Sequence, residues 1–340
     1  MKQQTFQTME SIGMAWMIPL FRLITLDEPE KQLKMIANGI LLPALAIIIF
    51  LGFWSIVSAN IHTSLGQLPG PVQVWQQGST LIDEHFEEQA KKAAFNERQE
   101  KRNAKKLATN PDAKVKTRIY TGAPTFINQI FTSLITVVTG FLIASVVAIP
   151  LGIFCGLSTK LNNALNPIFQ IFKPISPLAW LPIVTMVVSA VYSTDDPMFA
   201  KSFVVSAITV SVCCLWPTLL NTTVGVASVE QDLINVSRVL RLHWFKHIQK
   251  IVIPASIPMM FTGLRLSMGI GWMVLIATEM LAQNPGLGKF VWDEFQNGSS
   301  NSLGRIMFAV LTIGFIGFLL DRFLMTCQRF VSWDKNAEIR

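Results

Sequence analysis

Charge is scarce in this chain. Of 340 residues only 14% are Asp, Glu, Lys or Arg, while 51% are hydrophobic. Mean hydropathy is +0.44, and a soluble domain carries about 25% charged residues. That shortage excludes a soluble two-domain globule, and the same composition excludes a disordered chain, collagen and a disulfide-rich secreted scaffold. Cysteine and histidine are also few, four of each. Cys155, Cys213, Cys214 and Cys327 lie in or beside apolar runs, at spacings that suit neither zinc nor a disulfide frame, so they read as small hydrophobes. His243 and His247 sit close together but have no carboxylate alongside. No catalytic site, metal site or cofactor is expected, which argues against a membrane-embedded enzyme. A Gly-rich phosphate loop of the GxxxxGK[ST] kind is missing too, so the chain does not bind ATP in that way.

What the chain has in abundance is apolar runs long enough to cross a bilayer, which takes about 20 residues. Six spans are expected: Met35–Ile61, a second from near Thr136 within Phe126–Leu157, then Phe172–Val191, Ser202–Val224, Pro258–Leu281 and Ile306–Cys327. The fold class is therefore an all-α membrane protein. Residues 1–34 form an N-terminal segment in which Met9–Leu26 reads as an interfacial helix; it lacks a signal-peptide pattern and is expected to be retained. Residues 35–328 form the membrane domain and 329–340 a tail.

The net charge of +7 sits between apolar runs, which points to anionic lipid and not to nucleic acid. Basic residues in the N-terminal tail, in 229–254 and in the C-terminal tail put those three segments on one side, the cytoplasmic one. Residues 62–125 then form an external loop. Its polar insertion, 82–118, holds ten basic residues, and Asp83 to Leu107 reads as a solvated helix or a contact for an external partner. The loop is too long for the charge rule to govern it.

Residues 229–254 contain two short amphipathic patterns. Leu233, Val236 and Leu240 fall at i, i+3 and i+7; Trp244, Ile248 and Ile251 fall at i, i+4 and i+7. Helices this short are marginal alone in water, so the apolar stripe needs a partner. Ile253-Pro254 then restarts the chain toward the fifth span.

In this stretch the chain resembles the cytoplasmic coupling loop of ABC-importer permeases, the EAA loop. Asn235-Val236-Ser237 stands at the family's Glu-Ala-Ala, Arg241 at its Gly, and Ile253-Pro254 at its closing Leu/Ile-Pro, with the spacing kept. Leu240 and Trp244 complete the expected contact surface. Further segments resemble the same family in order: Leu68-Pro-Gly-Pro-Val72, Asn166-Pro-Ile-Phe-Gln170, Pro177-Leu-Ala-Trp-Leu-Pro182, Trp216-Pro217, Thr262-Gly-Leu-Arg265, Glu279-Met-Leu281 and Gly286-Leu-Gly288. Val291-Trp-Asp-Glu294 favours the nitrate, cyanate and bicarbonate group over sulfonate and taurine permeases.

The resemblance implies a six-span permease of the binding-protein-dependent type with a cytoplasmic coupling loop, in the bacterial inner membrane with both termini cytoplasmic. It implies cytoplasmic ATPase subunits, an external substrate-binding protein and a second permease copy, forming a homodimer. The cargo implied is a small inorganic anion, nitrate or nitrite first, cyanate or bicarbonate next. The competing readings are a sulfonate permease and a secondary transporter working alone, though neither inverted repeats nor mid-span ionisable residues are visible.

Two features mark the pathway. Span 5 carries Gly263, Ser267 and Gly271 at four-residue spacing, a face for close helix approach. Another face carries Arg265, Trp272 and Glu279, with the two charges about 21 Å apart and unable to pair. Asp321 reads as interfacial. In span 3, Pro177, Trp180 and Pro182 form a candidate gate, because each proline opens a backbone carbonyl.

Overall fold

The computed structural model describes residues 29–63, 66–109, 115, 117–192, 199–299 and 301–331. The expected interfacial helix Met9–Leu26 and the tail beyond Val331 lie outside the described residues. Twelve helices run in chain order among those described: α1 Pro29–Ile36, α2 Leu42–Asn60, α3 Pro71–Thr109, α4 Phe126–Leu157, α5 Thr159–Phe172, α6 Pro177–Val191, α7 Lys201–Ala227, α8 Gln231–Val239, α9 Trp244–His247, α10 Ile253–Ala282, α11 Leu287–Asn297 and α12 Ser302–Val331. A π turn, Ala37–Leu41, joins α1 to α2, and a second, Ile248–Val252, joins α9 to α10. A two-residue hairpin pairs His62–Thr63 with Gly66–Gln67.

Five stretches are long and apolar enough to span a membrane: Lys34–Asn60, Phe126–Leu157, Lys201–Ala227, Trp244–Ala282 and Ser302–Val331. The pair α5 and α6, bent by 99°, makes a sixth if counted as one broken span.

Helix α7 is the centre of the bundle, sandwiched between α4 and α10. Small residues bring the backbones together. A Cβ at Gly140 of α4 would lie 2.6 Å from the Ala207 carbonyl oxygen, and one at Gly263 of α10 would lie 3.0 Å from that of Pro217. Ser267, between Gly263 and Gly271 on α10, bonds the Thr218 hydroxyl at 2.6 Å and donates to the Cys214 carbonyl at 2.5 Å. The four-residue stripe thus faces α7 within the same chain. Without a hydrophobic drive between helices in lipid, such close approach and buried hydroxyl bonds supply the association energy.

Several boundaries differ from the sequence reading. The second span begins at Phe126, ten residues before Thr136. Its polar first turns are tolerated because Gln129 and Ser133 are buried against protein, and Thr132 and Thr136 bond back to the carbonyls four residues earlier. The third span begins before Phe172: α5 runs from Thr159, the chain breaks at 173–176 among the prolines that interrupt this span in the sequence, and α6 restarts at Pro177. The chain also does not restart at Ile253-Pro254, since Trp244 to Ala282 is one helical stretch through the π turn. That turn lies directly before Pro254, whose missing N–H would leave an α ladder one donor short.

Helix α3, in the loop after the first span, also begins earlier than Asp83, at Pro71, a residue suited to a first helical position. Its first turns belong to the core. Val74 and Leu81 are buried, and Gly78 lies against the Phe308 ring of α12.

Candidate coupling loop and membrane charges

At one end of the bundle, α8 and α9 form a compact corner. Helix α8 ends in a Schellman motif: the Leu242 N–H donates to the Ser237 carbonyl and the Arg241 N–H to that of Arg238, both at 3.1 Å. Arg241 takes the left-handed position that this motif requires, with φ +45°. The sequence comparison put a glycine at this position in the family pattern, and the structure keeps the glycine-type backbone with an arginine on it.

Ser237 points inward, and its hydroxyl pairs with His247 Nδ1 at 2.8 Å, tying α8 to α9. His243 Nδ1 accepts the Phe245 N–H at the start of α9. The Trp244 indole stacks on Phe154 of α4, with ring centres 6.1 Å apart and planes 17° apart. Ile253 packs against the apolar cluster Ile153, Val226, Ile248 and Val252, and Pro254 follows the π turn, so these two anchor the loop to the bundle.

The outer face of α8 is different. Asp232, Asn235, Val236, Val239 and Leu240 line a shallow open groove. Val239 is 81% exposed and Leu240 62%; Phe245 is exposed as well, and Trp244 half-exposed at 54%. The i, i+3, i+4, i+7, i+8 spacing from Asp232 puts these groups on one helical face. Val239 and Phe245 were missed by the sequence reading, which followed Leu233 and not the neighbouring row.

Within the membrane the three marked residues of α10 all find partners inside the chain. Arg265 donates from Nε and Nη2 to the two carboxylate oxygens of Asp321 on α12, at 2.9 and 3.1 Å. Trp272 is buried, and its Nε1 donates to the Ile313 carbonyl of α12 at 2.9 Å. Glu279 is fully buried. Its oxygens each accept from Ser133 Oγ of α4 at 2.8 Å, and one accepts the Gly288 N–H at 2.9 Å. The Ser133 hydroxyl oxygen in turn accepts the Leu287 N–H at 2.9 Å. Gly288 can only be glycine here, since a Cβ would collide with the Ile276 carbonyl. The segment Gly286-Leu-Gly288 and Glu279 therefore form one lock between α4, α10 and α11.

At the break before α6, Pro177 occupies the first helical turn, where no N–H is needed, and Pro182 sits inside α6 without ending it. The expected opening of the backbone therefore reduces to one carbonyl, that of Leu178. Trp180 instead belongs to an aromatic ladder: Phe172 stacks on Trp180 at 5.8 Å and on Trp216 of α7 at 6.0 Å. The ladder holds the 99° bend against the centre of the bundle.

The family described as binding-protein-dependent transport system inner membrane component matches residues 148–331. The nitrate import permease protein NrtB of Synechocystis sp. is 35% identical over 85% of this chain and 88% of its own length. The chain belongs to this ABC-importer permease family. The bicarbonate transport system permease protein CmpB of Synechococcus elongatus is 34% identical, covering 88% of this chain and 92% of its own. Among solved structures, the MetNI methionine ABC transporter shares the fold at TM-score 0.51 and 13% identity, covering 61% of this chain and 96% of that one.

Proposed function

We propose that this permease, paired with a second copy, forms the translocation path of an ATP-driven importer for a small inorganic anion, with nitrate or nitrite as first choice and cyanate or bicarbonate next. The observation that carries the reading is the exposed apolar face of Val236, Val239 and Leu240 beside Trp244, on a chain with no phosphate loop of its own. Energy must then enter through that face, from separate ATPase subunits on the cytoplasmic side. The orientation follows from the basic residues around the loop and places both termini inside. The relatives' nitrate and bicarbonate cargoes support an anion. A sulfonate permease is the second reading, favoured by nothing in the site.

In this reading Arg265 is the basic group the anion meets, Asp321 its counter-ion until the anion passes, and the Pro177–Pro182 segment with Trp180 a gate that the aromatic ladder positions. Trp272 and Glu279 hold span 5 in place from behind. The test is reconstitution with the ATPase and an external binding protein, measuring ATP hydrolysis and uptake across nitrate, nitrite, cyanate, bicarbonate and taurine. Uptake by the permease alone, without ATP, overturns the importer reading; stimulation by taurine alone selects the sulfonate one.

A further inference from the structure

Helix α3 is clamped to the bundle at its base, and its outer half meets the returning segment of its own loop. Arg305 of α12 bonds Glu84 of α3 and, at 3.2 Å, Glu294 of α11. His85 pairs with the Thr125 hydroxyl at 2.6 Å, just before α4. Beyond that clamp the returning chain runs back along the helix. The Tyr120 hydroxyl donates to Glu88 at 2.6 Å, its ring lies 5.4 Å from that of Phe95, and the Arg118 N–H donates to Gln99. The outer half of the helix, with residues 118–120 laid along it, thus forms an arm. Residues 89–109 are about 31 Å long at 1.5 Å per residue.

Charge is segregated along this arm. Its base holds Asp83, Glu84, Glu87 and Glu88, whereas Lys91 to Lys106 holds seven basic residues and two acidic ones, a surplus of +5 in a chain whose total is +7. At 100° per residue all seven basic side chains fall on one half of the helix, and Glu97 and Glu100 fall on the other. Lys91 and Lys101 reach Glu88 and Glu97, yet both remain exposed, as do Lys92, Arg98, Arg102 and Lys106. The far half carries Ala90, Ala93, Ala104 and a single bulky apolar side chain, Leu107, and not the broad apolar face that an interfacial helix would need to enter lipid. The arm also stands at the opposite end of α4 from the α8–α9 corner: Thr125 meets His85 at one end and Phe154 meets Trp244 at the other.

We propose that the basic face of this arm docks an acidic surface of the external solute-binding protein, steering it to the mouth of the transporter. The proposal rests on the importer reading above. A one-signed rigid surface of this kind raises encounter rates by about tenfold to a thousandfold at low salt, and salt removes the advantage.

The test uses the complete transporter in proteoliposomes, with the binding protein titrated from outside and ATP hydrolysis as readout. The variant carries Lys92→Glu, Arg98→Glu, Arg102→Glu and Lys106→Glu, and a second carries Gln at the same positions in case reversal disturbs folding. The expected result is a half-saturating binding-protein concentration raised about tenfold, a flatter salt dependence and an unchanged maximal rate. Wild-type half-saturation and salt slope in both variants overturn the arm's role while leaving the importer reading intact. A defect that appears only in vesicles containing phosphatidylglycerol, and not in phosphatidylcholine alone, assigns the face to lipid and overturns the proposal. If the wild-type complex is not stimulated by any binding protein, the importer reading fails and the docking proposal falls with it.

Discussion

Arg265 and Asp321 form a two-point ion pair across spans 5 and 6, the guanidinium fork meeting both carboxylate oxygens. The side chains are 23% and 42% exposed in the chain alone, so the pair lies at the surface of the single chain's bundle and not in its core. On the proposed reading, the guanidinium exchanges this carboxylate for the anion as it passes. Arg265→Gln is expected to slow uptake about tenfold or more in an assembled complex. Arg265→Lys, which keeps the charge but loses the fork, should slow it less. The swap Arg265→Asp with Asp321→Arg should keep assembly and abolish transport. Uptake at the wild-type rate in an intact Arg265→Gln complex would remove Arg265 from the pathway.

Glu279 behaves differently because nothing about it is accessible. It accepts from Ser133 and Gly288 while fully buried. Glu279→Ala leaves those donors unpaired, at a cost of about 1–3 kcal/mol each. The expected outcome is a complex that melts at lower temperature or fails to assemble, and Ser133→Ala should weaken it less. A Glu279→Ala complex with wild-type melting and altered anion preference would place Glu279 in the pathway instead.

Arg241 sits at φ +45° on the position closing α8. A left-handed non-glycine residue costs about 1–2 kcal/mol, so Arg241→Gly is expected to raise the melting temperature of the purified permease, and Arg241→Val to lower it. If glycine destabilises, the arginine side chain contributes more than its backbone strain takes away.

The sequence made the periodic features legible and left the pairings hidden. Gly263, Ser267 and Gly271 announced a close helix contact, because a four-residue repeat of small side chains has one physical use in lipid. Glu279 announced itself as a charge in a span, but its partner Ser133 lies 146 residues away, and no periodicity reports that. Asp321 looked interfacial for the same reason. The start of α3 was misplaced because the helix formers that mark Asp83 to Leu107 do not extend back over residues 71–82, while the two side chains that bury its base, Val74 and Leu81, are spaced by two helical turns in a polar stretch. Arg241 hid its left-handed backbone by not being glycine.

The exposed face of α8 makes a cleaner test of coupling than the pair Leu240 and Trp244 that the sequence suggested. Trp244 is stacked on Phe154, so replacing it by Asp disturbs the corner itself. Val239 and Leu240 point outward with no such support. Val239→Asp with Leu240→Asp is expected to leave insertion and melting unchanged and to uncouple ATP hydrolysis from uptake. Normal uptake by that double variant would mean the ATPase docks elsewhere.

The arm sets limits on what can be removed. Deleting Glu84–Lys114 takes away the Arg305 partner Glu84 and the Thr125 partner His85, leaving Arg305 and Glu294 without the third member of their network. That deletion is expected to lower the yield of folded membrane complex. A deletion confined to residues 91–116, closed by a short Gly/Ser linker, keeps the clamp, and the shortened loop has little extra closure entropy to overcome. It should fold as the full chain does, with melting unchanged within a few degrees. Equal loss of complex from both deletions would show that the outer half of the arm packs on the core, and equal retention would show that the Glu84 clamp contributes nothing to assembly.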